Sequence, residues 1–364
     1  MWCADCEDIK TYLYPRTRFF FFLPTLESVS KLTKLCESLS LEVMQHHSHS
    51  ISVEQSESMV ESFLVAIFGE LQGPERFNTK VTTTRGARTL DFDAISKIIS
   101  LDVFINRYKS LWIIDSVAAN NYETWFQPIV SANYSMDQTN NSPESASIFA
   151  HEALFRIRDQ TNEIIPPSYV FSIAAKSDLL FSLDLTARRS AIEHAAVANL
   201  NSKVFVNFDP SSIYDPSYCL RSTASAIAEA GLRCSDVVFE VTETHRVHNV
   251  QQLKGILAFY RESGFQIALD DVGAGWSGLN LLKDLMPDYI KIDMELIRDI
   301  DIAVAQQKIV RHLIASAKDN GIKVIAEGIE TQAEAECLRE LQADYLQGFY
   351  FGRPELKTPI YPKP

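Results

Sequence analysis

The residues of this chain that could do chemistry are polar groups at the ends of short apolar runs. Val204-Phe205-Val206 runs into Asn207, Val237-Val238-Phe239 into Glu240 with Glu243 close behind, and Ile267-Ala268-Leu269 into Asp270-Asp271. Tyr289-Ile290 leads to Lys291 and then Asp293, Val324-Ile325-Ala326 to Glu327, and Tyr345-Leu346 to Gln347, while Glu152 lies inside the run from Ile148 to Phe155. Taken singly, each is well explained as a helix cap or a loop residue, since Asp and Asn are favoured at N-caps. As a set they are not. Glu is a poor cap, and gathered carboxylates with one Asn and one Lys are costly unless cations neutralise them. Oxygen ligands suit a hard divalent cation, Mg2+ or Mn2+. The adjacent pair Asp270-Asp271 can serve two metals if one carboxylate bridges, and two metals about 3.5–4 Å apart are a standard means of in-line attack on a phosphodiester. The chemistry these residues predict is metal-dependent phosphoester hydrolysis.

Elements must bring these residues together. From Trp125 onward short apolar strands alternate with helical stretches, among them Leu183–Val197, Val250–Glu262, Val304–Lys318 and Thr331–Leu341. The predicted strands are Trp125–Val130, Ser147–Phe155, Lys203–Asn207, Val237–Val241, Gln266–Asp270, Tyr289–Ile292, Lys323–Ala326 and Asp344–Leu346. Repeated strand–helix units imply a mostly parallel sheet with helices outside. Eight strands in this length fit a TIM-like (β/α)8 barrel, whose active site forms at the C-terminal ends of its strands. An open doubly wound sheet would carry a Gly-rich phosphate turn after its first strand, and none is present.

The motifs at these strand ends resemble those of the EAL-domain phosphodiesterases of bacteria. His151-Glu152-Ala153-Leu154-Phe155-Arg156 carries the Glu-Ala-Leu signature that names that family. Phe126-Gln127-Pro128-Ile129-Val130, Val206-Asn207-Phe208, Glu240-Val241-Thr242-Glu243 and Asp270-Asp271-Val272-Gly273-Ala274-Gly275 match in the family's order. Ile290-Lys291-Ile292-Asp293, Ala326-Glu327-Gly328-Ile329-Glu330 and Gln347-Gly348-Phe349-Tyr350-Phe351-Gly352-Arg353-Pro354 complete a set that covers roughly residues 120–356. The resemblance implies hydrolysis of cyclic di-GMP to linear pGpG at a two-metal site holding Mg2+ or Mn2+. It implies that Glu152, Asn207, Glu240 and Asp270 ligate the first metal, with Asp270 bridging and Asp271 holding the second. By the same resemblance Lys291 orients the attacking water, and Glu327 binds the second metal or its water and serves as base. Arg156 grips a substrate phosphate, Gln127 and Gln347 line the pocket, and Asp293 and Glu330 make water or substrate contacts. Glu243 anchors the loop after Asp271, which couples homodimerisation through the EAL domain to metal binding. Val272, Ala274 and Gly278 depart from the family's usual Asp-Asp-Phe-Gly-Thr-Gly loop and its following serines, and none of the three is a metal ligand.

The stretch before the barrel reads as a smaller α/β domain over residues 1–115, leaving 116–364 to the barrel. It has a strand at Phe19–Leu23, an amphipathic stretch at Leu26–Leu39, a His/Ser patch at Gln45–Ser50, a helical spacing from Val60 to Phe68, a strand at Thr79–Thr84 and a helical pattern over Phe92–Tyr108. A regulatory, sensor-like role is expected for it. Cys3 and Cys6 with His46, His47 and His49 could hold zinc, although scattered thiols and a solvated histidine patch explain them better.

The balance of 34 basic against 47 acidic residues gives a net charge of -13, which argues against a DNA- or RNA-binding surface and against an anionic membrane surface. The acidic N-terminus is unlike a signal peptide, and the longest apolar run, Phe19–Leu23, is too short for a membrane span. A cytoplasmic protein with no membrane segment is expected. The competing function is a catalytically weak or inactive EAL-type receptor that binds cyclic di-GMP and acts through protein partners. Degenerate members lose ligands in the Glu-Ala-Leu or Asp-Asp motifs, and this chain keeps them.

Overall fold

Along Arg16–Phe22 (β1) the side chains alternate between two faces, as a strand requires, and Phe19 and Phe21 point into an apolar core with Phe63, Ile67 and Phe104. The coordinates come from a computed structural model that describes residues 9–133, 147–159, 161–210, 216–242, 250–273 and 278–357. β1 is hydrogen-bonded on both sides, to Ser50–Ser56 (β3) and to Lys80–Thr84 (β4), both antiparallel. With Val43–His47 (β2) and Ile99–Ser100 (β5) it makes a five-stranded sheet in the order β2-β3-β1-β4-β5. The polar patch at Gln45–Ser50 is therefore part of a hairpin. Its exposed strand β2 lies at the sheet edge, where polar side chains are expected. The helical pattern over Phe92–Tyr108 is broken by β5 into Phe92–Ser96 and Leu101–Lys109. His46 Nε2 lies 2.8 Å from Ser52 Oγ, while Cys3 and Cys6 fall outside the described residues.

The second sheet runs β6-β14-β13-β12-β11-β10-β9-β7, with a two-residue strand Ile164–Ile165 (β8) added to β7, and it closes because β6 also pairs with β7. Its strands are Tyr122–Ser131 (β6), Ile148–Arg158 (β7), Lys203–Asn207 (β9), Val237–Thr242 (β10), Gln266–Val272 (β11), Tyr289–Ile292 (β12), Lys323–Ala326 (β13) and Tyr345–Gln347 (β14). These eight strands form the expected TIM-like barrel, with one difference: β6 runs antiparallel to β14. No helix separates β6 from β14 in space, and Phe126 is further paired to Glu355 just beyond β14 by backbone hydrogen bonds in both directions.

The chain divides into two compact units, Met1–Asn121 with Ile157–Leu183, and Tyr122–Arg156 with Asp184–Pro364. The stretch Ile157–Leu183 thus groups with the N-terminal sheet although it follows two barrel strands in sequence. Among the described residues no helix is long and apolar enough to cross a membrane.

The barrel interior is filled by a layer of side chains, as in other barrels of this kind. Ile129, Ala150, Phe205, Val238, Ala268, Tyr289 and Ile325 form one buried cluster, and Phe149 and Tyr345 pack against it with their rings stacked 3.8 Å apart.

Candidate active site

Side chains two residues apart on a strand share a face, so the apolar layer dictates what lies directly above it. Two positions beyond Ala150, Phe205, Val238, Ala268, Tyr289, Ile325 and Tyr345 stand Glu152, Asn207, Glu240, Asp270, Lys291, Glu327 and Gln347. On β6 the direction is reversed, and two positions before Ile129 stands Gln127. Each barrel strand thus contributes one polar side chain, directly above an apolar floor.

Lys291 is the centre of this layer. It is 1% exposed, and its Nζ lies 2.7 Å from Glu240 Oε1, 2.7 Å from Glu327 Oε1, 3.2 Å from Asp270 Oδ1 and 3.3 Å from Glu152 Oε2. Gln347 Nε2 donates to Glu152 Oε2 at 2.6 Å and to Gln127 Oε1 at 3.3 Å, and Gln127 Nε2 donates to the Gly352 carbonyl at 3.1 Å. The acids are buried and crowded, and both conditions disfavour their charged forms. Burial pushes Glu240 and Glu327 well above the usual carboxylate range, against the pull of Lys291. Burial, with Asp270 and Asp293 nearby, pushes Asp271 up to about 6. Burial opposes the charge on Lys291, but the surrounding carboxylates outweigh it and hold the ammonium well above its ordinary value.

Asp271 reaches the same place by a different device. Alternation would send it to the outer face, opposite Asp270. The pairing of β11 with β12 is irregular between Leu269 and Val272, and Asp271 has φ 56, in the left-handed region that non-glycine residues rarely enter. Backbone strain of this kind concentrates at functional sites. Here it lets two consecutive carboxylates converge: Asp270, Asp271 and Glu327 each offer an oxygen within 4.8 Å of the others.

The donor set fits a divalent cation. Glu240 is 0% exposed, and its Oε2 accepts no hydrogen bond among the described residues, the condition of an oxygen waiting for a cation. The oxygens are carboxylates with one amide, Asn207, which stands in register with Glu240 on the neighbouring strand. Asn207 is exposed at the end of β9.

A cavity of about 250 Å3 opens above the cluster. Gln127, Glu152, Asp271, Asp293, Glu327, Glu330 and Gln347 line it, all singled out by sequence, together with Met294, Arg298, Gly328, Gly348 and Phe349. Asp293 also caps the short helix Met294–Ile297, accepting from Glu295 N at 2.7 Å, so the cap reading and the site reading are both met. Arg298 was not legible as a site residue. It pairs with Glu330 (Nη2 to Oε1, 2.8 Å), and its one sequence signal is its place at the end of that helix. Arg156 does not join the ammonium's contacts: Nη1 donates to the Phe155 carbonyl at 2.9 Å, and the guanidinium sits 5.4 Å from the Trp125 ring centre. Glu243 lies outside the described residues.

The EAL domain family model matches residues 112–354. The chain belongs to the EAL-domain family. Over 208 residues it is 29% identical to the cyclic di-GMP phosphodiesterase PdeF of Escherichia coli, covering 56% of this chain and 28% of that protein. Over 207 residues it is 31% identical to the cyclic di-GMP phosphodiesterase NbdA of Pseudomonas aeruginosa, covering 56% of this chain and 26% of that one. The match thus spans about a quarter of each relative's length. A standalone EAL protein of Vibrio cholerae O395, solved in a c-di-GMP-bound form, is similar at 34% identity and a TM-score of 0.56, over 65% of this chain and 93% of that one.

In the EAL barrel the loop after β13 is held by Glu334. Its buried carboxylate accepts from the backbone N–H of Glu330 (2.9 Å), Thr331 (3.0 Å) and Asp299 (3.0 Å), and Thr331 caps the helix Gln332–Glu340. Burial works to raise this carboxyl, but the three donors outweigh it and hold it below the usual range. A carboxyl depressed in the folded state stabilises above its unfolded pKa, about 4.3, and that stability is lost as pH falls through the lower folded value. Chemical unfolding across pH should therefore show wild type most favoured over Glu334→Gln near neutrality, with the gap closing in acid. A gap that stays constant as pH falls would contradict the assignment.

Proposed function

We propose that this chain hydrolyses cyclic di-GMP to linear pGpG in a divalent-cation-dependent reaction. The observation that carries this reading is the polar layer itself: four carboxylates around one buried ammonium, with a buried Glu240 oxygen that accepts no hydrogen bond and with Asp270 and Asp271 side by side. Glu152, Asn207, Glu240 and Asp270 would hold a first Mg2+ or Mn2+, and Asp270 with Asp271 and Glu327 a second. Bound cations supply an acidified water and screen the charge that develops on the phosphate.

The chain's own groups do the rest. Lys291 donates to the attacking water and keeps its oxygen aimed at phosphorus. Glu327, 2.7 Å from that ammonium, accepts the water's proton in this reading. Arg156 swings from Trp125 to pair with a phosphate of the dinucleotide, a charge-assisted contact suited to a guanidinium. Gln127 and Gln347 are bonded to each other, Gln347 also to Glu152 and Gln127 to the Gly352 carbonyl, and they fix the cavity wall against which the substrate rests. The same proposal includes a homodimer through the barrel and control of the rate by the N-terminal unit.

The test is direct. Purified protein incubated with cyclic di-GMP and Mn2+ or Mg2+ should yield pGpG, and EDTA should stop it. Binding of the dinucleotide without turnover in either metal would replace this reading with that of a receptor. Sedimentation of the full chain with and without metal tests the dimer, which a monomer at all concentrations would exclude.

A further inference from the structure

The polar layer places five acids of the barrel mouth next to one another above an apolar floor, where unpaired charge is costly. Four of them meet at a single nitrogen. Lys291 extends from β12, which is hydrogen-bonded to β11 on one side and β13 on the other. Its stem is therefore fixed between the strands that carry Asp270 and Glu327. The ammonium lies 2.7–3.3 Å from Glu152, Glu240, Asp270 and Glu327, three of which are the oxygens expected to bind the first metal. Among the described residues no other cation pairs with these four. Arg298, which lines the same cavity, is engaged by Glu330.

We infer that the Lys291 ammonium is a resident cation, which holds these carboxylates in binding geometry before metal arrives and weakens metal binding by competing for the same oxygens. The inference rests on the reading of the layer as a divalent-cation site. It adds a role to Lys291 that orienting water does not require. A divalent ion entering the layer sits beside a fixed positive charge in a medium of low dielectric, and their repulsion acts against every ligand gained. The site is then preformed without metal, yet its affinity is lower than its number of carboxylates suggests. Loading follows the free divalent concentration rather than saturating at trace levels.

The test uses the full chain and Mn2+, with readouts independent of turnover. Lys291→Met keeps the stem and removes the charge. In EDTA it should melt at a lower temperature than wild type, because the carboxylates lose their counter-ion. By calorimetric titration it should bind Mn2+ more tightly, by about tenfold or more, the effect of one charge at such distances. Lys291→Arg keeps the charge and should restore wild-type melting in EDTA. An unchanged melting temperature for Lys291→Met, or Mn2+ affinity equal to or weaker than wild type, overturns the inference. If Lys291→Met folds in neither EDTA nor Mn2+, Lys291→Arg decides: folding with wild-type affinity supports the role of charge, and failure to fold overturns it. Absence of Mn2+ binding by wild type itself would remove the metal reading and the competition with it, a result distinct from equal binding by both proteins.

Discussion

Asp270→Ala is expected to all but abolish formation of pGpG, with a fall of about a thousandfold in kcat, the upper end of the scale seen when one preorganised group is removed from a reacting centre. Asp270 takes part in several features of the site at once. Asp270 contacts the Lys291 ammonium, it is grouped with Asp271 and Glu327 as a set of converging oxygens, and it stands at the irregularity in β11 that turns Asp271 into the same space. It is the one residue expected to ligate both cations. Its loss should leave the fold intact, since Lys291 keeps Glu152, Glu240 and Glu327 as partners. Circular dichroism of the variant should therefore match wild type while chromatography detects no product. Asp270→Asn, which preserves size and removes charge, should be nearly as damaging. Full activity in either variant would overturn the assignment of Asp270 as the bridging ligand.

Gly348→Ala is expected to cost about 3 kcal/mol of stability, at the upper end of overpacking effects, and to reduce activity along with it. A Cβ at this position would fall 2.0 Å from the Ile329 carbonyl oxygen and 2.3 Å from its nitrogen. Both are backbone atoms, and both are already bonded: Ile329 N donates to the Gln347 carbonyl at 3.2 Å and Tyr350 N donates to the Ile329 carbonyl at 3.0 Å. The clash cannot be relieved by a rotamer change. It must part the stretch after β14 from the loop after β13, and these carry Gln347 and Glu327 into the site. Urea unfolding should give a lower midpoint, and kcat should fall even at temperatures where the variant is folded. Wild-type stability and rate together would show that the close approach of Gly348 to Ile329 has no consequence.

These two residues mark the division between what a linear reading reaches and what it does not. Asp270 was visible as a carboxylate closing an apolar run. Gly348 was visible only as one member of a motif, because nothing in its own neighbourhood says that the loop after β13 passes over it. Arg298 escaped for a similar reason: its partner Glu330 is 32 positions away along the chain. The histidine patch at Gln45–Ser50 was legible as polar and exposed but not as an edge hairpin. An edge strand carries the polar side chains of a loop, and only its pairing tells the two apart.

What the sequence by itself determined was the polar layer. The strand period of two, counted from an apolar core residue, puts Glu152, Asn207, Glu240, Asp270, Lys291, Glu327 and Gln347 one step above the floor, and parallel strands bring those ends to one side. That much is local chemistry repeated strand by strand. Only the tertiary structure decided that β6 runs against its neighbour β14, so that Gln127 precedes its core residue instead of following it. It alone decided that Asp271 takes a left-handed backbone and joins Asp270, and that Lys291 sits within reach of four carboxylates at once. Strand direction, a bulge and a four-way ion contact depend on which segments become neighbours after the barrel closes, and no single stretch of residues carries that information.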